Sequence, residues 1–174
     1  MIVSTLGESE IFYRVHDPQW ARKPLSGMGP AKRGGRFNRP GQEALYLSRE
    51  PQTALAEFQQ DNPWLLPGTI CSYFVTALRV ADLSGGYDPS DWDAVWLDFD
   101  LDWRREAFAR KVQPVTWTMG DLVMDAGLDG ILFPSQASPG GTNLVIYGSS
   151  SRPPDQLRVH DPKGALPRDG SSWR

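Results

Sequence analysis

Lys32-Arg33-Gly34-Gly35-Arg36-Phe37-Asn38-Arg39 packs four cations into eight residues of a chain that is acidic as a whole. Adjacent glycines let a backbone bend until successive N–H groups converge on an anion, and arginine presents a planar fork to phosphate oxygens. The stretch therefore points to phosphate binding. A solvated basic turn has the same composition, and the glycines lack the spacing and following Lys-Ser/Thr of a P-loop. Glu57, Tyr46 and Ser135 also carry useful groups. Each has a plain structural role as well: a surface carboxylate on an amphipathic helix, a packed strand tyrosine, a turn serine after Pro134. His16 and His160 adjoin Asp-Pro turns with no nucleophile pattern nearby, which favours turn hydrogen bonding over catalysis. The acidic run from Asp88 to Asp102 has neither EF-hand spacing nor a second cluster of hard ligands. A solvated, aromatic-studded face is expected there, and no metal.

Those residues need elements to position them. Ile11 to Val15 is strand-like through its β-branched and aromatic residues, and Asp17-Pro18 ends it. Four Pro and five Gly between Pro18 and Gly41 describe one long connection, and ordered connections of that length are usually functional. Ala44 to Ser48 is a short buried strand. A helix follows, with Ser48 or Glu50 as cap, Pro51 at the first position and an apolar face of Ala54, Leu55 and Phe58. It ends before Asn62-Pro63 and carries Glu57 at the edge of that face. Thr69 to Val80 is a strand. Tyr87 to Glu106 is an exposed strand or an irregular arm leading into a helix near Arg104 to Lys111. Thr118 caps a helix to about Ala126, stopped by Gly127. Gly130 to Phe133 and Asn143 to Tyr147 are core strands, and Gln156 to Val159 is one more. Arg-Val-His-Asp-Pro occurs at Arg14 to Pro18 and again at Arg158 to Pro162, too short for a repeat architecture. Two strands leaving the sheet by the same turn would produce it.

At 174 residues the chain fits one domain. A net charge of −3 and a pI near 5.4 argue against duplex DNA or an anionic membrane as the partner, because both want a broad basic face. Cys71 is alone, so no intramolecular disulfide forms and no Cys/His zinc pattern can be assembled. A reducing cytoplasm is the natural setting. No apolar run approaches the ~20 residues that span a bilayer, and Met1 to Glu10 lacks the pattern of a secretory signal. Seven Trp and fifteen Pro suit a loop-rich α+β domain with aromatic plugs better than a helical bundle. A mixed, mainly antiparallel sheet with flanking helices is expected.

Taken together the pieces are more specific. Gly34-Gly35-Arg36-Phe37-Asn38, Ala44-Leu45-Tyr46-Leu47, Ala54-Leu55-Ala56-Glu57, and Phe133-Pro134-Ser135 with Asn143-Leu144-Val145 resemble, in that order, the RES-domain family, named for an Arg, a Glu and a Ser. The resemblance runs from about Phe12 to Gly148, leaving residues 149–174 as a C-terminal strand and tail. It implies a fold similar to ADP-ribosyltransferases and a toxin of a bacterial toxin–antitoxin pair that consumes NAD+ as substrate. Some members hydrolyse or phosphorolyse NAD+. Others ADP-ribosylate a protein, notably phosphoribosyl pyrophosphate synthetase, and the Trp20-to-Asn38 wording resembles that branch. The implied partner is an antitoxin with an Xre-type helix-turn-helix domain that covers the active site. Carried over by position, the implied catalytic set is Arg36, Tyr46, Glu57 and Ser135. NAD+ would be held by Arg33, Gly34, Gly35, Arg36, Tyr46 and Asn143.

The residue chemistry agrees with that implication. Nicotinamide in NAD+ is already cationic and leaves neutral, so no acid is needed to protonate it and one carboxylate suffices where glycosidases use two. Arg36 would grip a phosphate, Tyr46 orient the nicotinamide and Ser135 bond a ribose or phosphate oxygen. Two departures matter. In the Arg-Ser-Glu class of ADP-ribosyltransferases the Ser precedes the Glu, whereas here the order is Arg36, Glu57, Ser135. Leu55 also stands where Arg-directed transferases often carry a second Glu, which leaves water, phosphate and a protein group open as acceptors. Two other readings compete: a noncatalytic module capturing nucleotide or RNA phosphates with Arg33, Arg36 and Arg39, and a purely structural partner of another protein.

Overall fold

Alternation along the strands sends apolar side chains to both faces of a single sheet. The computed structural model describes residues 1–60, 62 and 64–171. Its strands are β1 (Val3–Thr5), β2 (Glu10–His16), β3 (Ala44–Ser48), β4 (Thr69–Val75), β5 (Arg79–Asp82), β6 (Gly130–Pro134), β7 (Thr142–Tyr147) and β8 (Leu157–Val159). They lie in the order β1-β5-β6-β7-β3-β2-β4-β8, and only β5 and β6 run parallel. Helices α1 (Met28–Arg33), α2 (Pro51–Gln59) and α3 (Val115–Asp125) flank the sheet. This is the expected α+β class, mixed and mainly antiparallel.

One face buries Phe12, Leu45, Leu47, Tyr73, Leu144 and Ile146. On the other, Ile131, Phe133, Val145 and Tyr147 pack with Met119 and Val123 of α3. The middle of the sheet is its weakest joint. β3 pairs along its full length with β7, and β2 along its full length with β4, yet β2 and β3 share one registered pair, Tyr13 with Ser48. Two half-sheets meet at that seam. α2 packs on both β2 and β3 and so bridges the two halves.

Several boundaries differ from the sequence reading. The long connection after Pro18 holds a one-turn helix at Pro18–Trp20 and the short α1, whose residues lack any apolar period to announce them. Thr69 to Val80 is two strands, because the chain turns at Ala77 (φ 55°) before β5 joins the other half-sheet. α3 begins at Val115 with Pro114 as its N-cap, so Thr118 lies inside the helix; Pro114 supplies the extended backbone that a cap requires. Gly127 does end it, with φ 68°. α2 caps at Glu50 and stops at Gln59; Leu55, expected on its apolar face, is exposed, and Pro63 lies outside the described residues. The acidic stretch is an irregular arm with a turn at Ala94–Trp96 and a π-helical turn at Arg105–Arg110. Trp92 and Trp96 anchor it, their ring centroids 4.6 Å apart and both buried.

The repeated pentapeptide flanks β4 on both sides: the first copy ends β2 and the second ends β8, each antiparallel to β4. In both, the Asp accepts backbone N–H bonds just beyond the strand, Asp17 from Gln19 and Asp161 from Ala165 and Leu166. Position makes the copies unequal. β8 is an edge strand, so Arg158 lies over the Phe74 ring and His160 is exposed. β2 is interior, so His16 is buried, with Nε2 2.5 Å from the Tyr73 hydroxyl, which donates to the Pro24 carbonyl.

Burial, with a smaller contribution from the Arg14 charge, pushes His16 down to about 3. The unfolded chain, with its His near 6.5, therefore binds a proton that the folded chain refuses between those values. The stabilising effect is whole above pH 6.5 and is lost as pH falls toward 3. Urea unfolding at pH 7.5 and pH 5 should show the wild type losing about 2 kcal/mol more than His16→Gln across that interval. Equal losses would show that His16 titrates normally in the folded chain.

Candidate active site

Glu57 projects from α2 into a cleft of about 550 Å³ at the seam. Its Oε1 accepts two hydrogen bonds, from Ser135 Oγ at 2.7 Å and Asn143 Nδ2 at 2.6 Å. Both donors are themselves oriented. Ser135 Oγ accepts from the Ser138 N–H at 3.0 Å, and Asn143 Oδ1 accepts from Ser48 Oγ at 2.7 Å. Four elements thus converge on one oxygen: α2, the turn after β6, the start of β7 and the end of β3. Oε2 has no partner among the described residues.

Arg36 lines the same cleft, although 21 residues and a strand separate it from Glu57 in the chain. Its guanidinium donates to the Phe99 carbonyl at 3.3 Å and to the Gln136 side chain, both neutral acceptors. It forms no ion pair among the described residues. Burial lowers the Arg36 pKa, opposed by the nearby Glu57 carboxylate. Gln136 in turn donates to the Asp100 carbonyl, so this glutamine ties Arg36 to the acidic arm.

Tyr46 lends the cleft its ring and keeps its hydroxyl elsewhere. That hydroxyl accepts from the Phe37 N–H at 3.0 Å and donates to Asn38 Oδ1 at 2.9 Å. Burial raises its pKa well above the ordinary phenol value. It pins the turn that aims Arg36, which makes it a positioning residue. The glycines also serve differently from the converging-donor picture. Gly34 N–H bonds the Pro30 carbonyl and Gly35 N–H the Asn38 carbonyl, so neither amide is available to an anion. What they supply is room: a Cβ on Gly35 would lie 2.5 Å from the Tyr46 hydroxyl and 2.5 Å from Asn38 Oδ1. The Trp117 indole N–H clamps the turn further by donating to the Gly35 carbonyl at 2.8 Å. Arg39, a phosphate candidate in the binding-module reading, is taken by an ion pair with Asp121 of α3.

The sequence reading missed Arg14. It sits on β2, lines the cleft, and its buried Nη1 has no hydrogen-bond partner. Burial lowers its pKa. A desolvated cation without a counter-ion is costly, and an anion in the cleft would offset that cost. The repeated pentapeptide was the available signal, but only the interior position of β2 separates Arg14 from its exposed counterpart Arg158. Arg33 and Arg104 also line the cleft. None of these four arginines forms an ion pair with a carboxylate among the described residues. One carboxylate with a free oxygen therefore faces four unpaired cations. Among the described residues no cluster of three or more His, Cys, Asp or Glu is placed to hold a metal, and no helix is long and apolar enough to cross a membrane.

The close approach at Gly35 predicts that Gly35→Ala costs roughly 1–3 kcal/mol of stability through overpacking. Gly29→Ala, with nothing within 4 Å of the added methyl, should be neutral or stabilising. Urea denaturation of the two variants checks this, and equal midpoints would refute the packing argument.

The fold has a counterpart among solved structures. A chain of the crystal structure of the M. tuberculosis MbcT–MbcA toxin–antitoxin complex aligns with TM-score 0.65 and 23% identity, covering 90% of this chain and 84% of that one. No curated protein sequence matches. The RES domain model matches residues 11–169, beyond Gly148 and through β8 into the C-terminal segment. With the sheet, the seam and this match across most of its length, the chain belongs to the RES-domain family.

Proposed function

We propose that this protein is a toxin that cleaves the nicotinamide glycosidic bond of NAD+. The observation that carries the reading is Glu57, fixed through one oxygen by Ser135 and Asn143, with its other oxygen free in a cleft of unpaired arginines. The C1′–N bond breaks with its electron pair leaving on the nicotinamide nitrogen, which turns the cationic ring neutral. Positive charge moves to the ribose. A preorganised carboxylate is then worth most, because the charge it meets develops only in the transition state. Ser135 and Asn143 prevent the carboxylate from having to reorganise as that happens. Arg14, Arg33, Arg36 and Arg104 suit the pyrophosphate, which carries the substrate's negative charge. An acceptor oxygen then bonds C1′ and gives up its proton. Water yields ADP-ribose, phosphate its phosphate ester, and a protein side chain a modified protein; phosphoribosyl pyrophosphate synthetase is the protein acceptor suggested by the sequence resemblance. The likeness to a chain of a toxin–antitoxin complex supports a partner that silences the activity, and the resemblance makes it an Xre-type helix-turn-helix antitoxin. The ion pair that removes Arg39 weakens the simple phosphate-binding alternative.

Mass spectrometry of NAD+ incubated with the protein in phosphate buffer, with and without the synthetase, should show free nicotinamide and identify the acceptor. Glu57→Gln should cut its release roughly 100- to 1,000-fold with the fold intact. Intact NAD+ in every arm, or full activity in that variant, would overturn the mechanism.

Arg14→Met separates binding from folding. Loss of a charge-assisted phosphate contact should lower kcat/KM for NAD+ about 10- to 150-fold. The melting temperature should not fall, because an unpartnered buried cation goes with it. Unchanged kinetics with a lower melting temperature would make Arg14 structural.

A further inference from the structure

A second, open cavity of about 640 Å³ adjoins the cleft. Arg36, Trp103, Arg104, Phe108 and Gln136 line both, so the two are chambers of one groove. Asp100 and Asp102 belong to the second chamber alone. Resting on the NAD+ reading, we infer that this outer chamber is the subsite for the adenosine half of the dinucleotide.

The division of chemistry along the groove fits the three parts of that ligand. Glu57 marks the inner end, where the nicotinamide ribose reacts. Arg36 and Arg104 stand at the junction, where a pyrophosphate would pass from one chamber to the other. The outer chamber adds Asp100, Asp102, Arg105 and Ala109 to the aromatic wall of Trp103 and Phe108 that it shares with the cleft. Phe108 is 55% exposed although it sits on the cavity wall, and it meets buried Trp103 edge-on at 5.9 Å. A ring face left open on a cavity wall is available to stack on a purine. The Arg104 guanidinium lies over the Trp103 ring, 4.8 Å from its centroid, a cation–π contact at the junction. The Asp100 carboxylate has no hydrogen-bond partner among the described residues, and Asp102 accepts only from the Arg105 N–H through Oδ1. Two carboxylates beside an aromatic ring suit ribose hydroxyls and an exocyclic amine, all of which donate. The π-helical turn at Arg105–Arg110 is the local distortion that carries Phe108, and such turns recur at functional sites.

Nicotinamide mononucleotide keeps the reacting bond and lacks the adenosine. Wild-type protein should therefore prefer NAD+ to the mononucleotide in kcat/KM, and Phe108→Ala should shrink that preference roughly 5- to 150-fold. AMP should bind the Glu57→Gln protein in calorimetry, and adding Phe108→Ala should weaken that binding to a similar degree. Equal use of both substrates by the wild type, a preference untouched by Phe108→Ala, or no AMP binding would each overturn the subsite. If Phe108→Ala altered only the modification of a protein acceptor, the chamber would be an acceptor site and the inference wrong. Cleavage of neither substrate would sink the NAD+ reading itself, and AMP calorimetry would still decide the outer chamber.

Discussion

A single carboxylate oxygen, Glu57 Oε1, organises the centre of this molecule by accepting from Ser135 and Asn143 at once. Those two donors arrive from β6 and β7, which belong to one half-sheet, while α2 leans on both halves. The bond pair therefore works as a stitch across the weakest joint of the fold. A sheet with one registered pair at its middle gains little from its own ladder there. It needs a helix and a polar anchor to keep the halves in place, and the same anchor fixes the Glu57 carboxylate. The cleft lies at this seam, lined by Tyr13, Arg14 and Val15 of β2 and by Tyr46, Leu47 and Ser48 of β3.

A second constraint holds Arg36. Its turn is packed around glycine at position 35, since a Cβ there would meet the Tyr46 hydroxyl and Asn38 Oδ1 at 2.5 Å each and force them to shift. The hydroxyl is spent on that turn, and Asn38 spends its amide on the Pro30, Arg39 and Gln42 carbonyls. Trp117 and the Arg39–Asp121 pair tie the same loop to α3. The loop is thus bolted to its surroundings by polar groups, which leaves two of its four cations, Arg33 and Arg36, lining the cleft. Most of the loop's remaining polar chemistry is architecture that holds this turn in place.

How much of this was legible in the sequence depends on the range of the interaction. Strands β2, β3, β6 and β7 announce themselves because β-branched and aromatic runs are local signals, and Pro51 and Gly127 mark helix ends for reasons internal to a few residues. The split between β4 and β5 was not legible, because Ala77 adopts a positive φ that its residue type does not advertise. α1 was hidden by Gly29 and Pro30, which weaken any helical pattern. Among the site residues, Arg36, Glu57 and Ser135 stood out through the ordering of four blocks. Arg14 did not, since what distinguishes it from Arg158 is burial between two neighbouring strands. Gln136 was equally silent: its task is to join Arg36 to a carbonyl of the arm, a contact that exists only after the arm has folded back.

Net charge is the last point, and here whole-chain arithmetic and local field disagree. The chain carries 21 acidic and 18 basic residues, yet the cleft collects four arginines against one glutamate. Much of the compensating acidity is placed outside it, several carboxylates on the arm among them. A polymer such as duplex DNA needs a broad convex basic surface. A small dianion needs only a concave site whose low-dielectric walls focus a local cationic field. Whole-chain charge therefore says little about this cleft: the acidic total coexists with a local excess of arginine in a concave site.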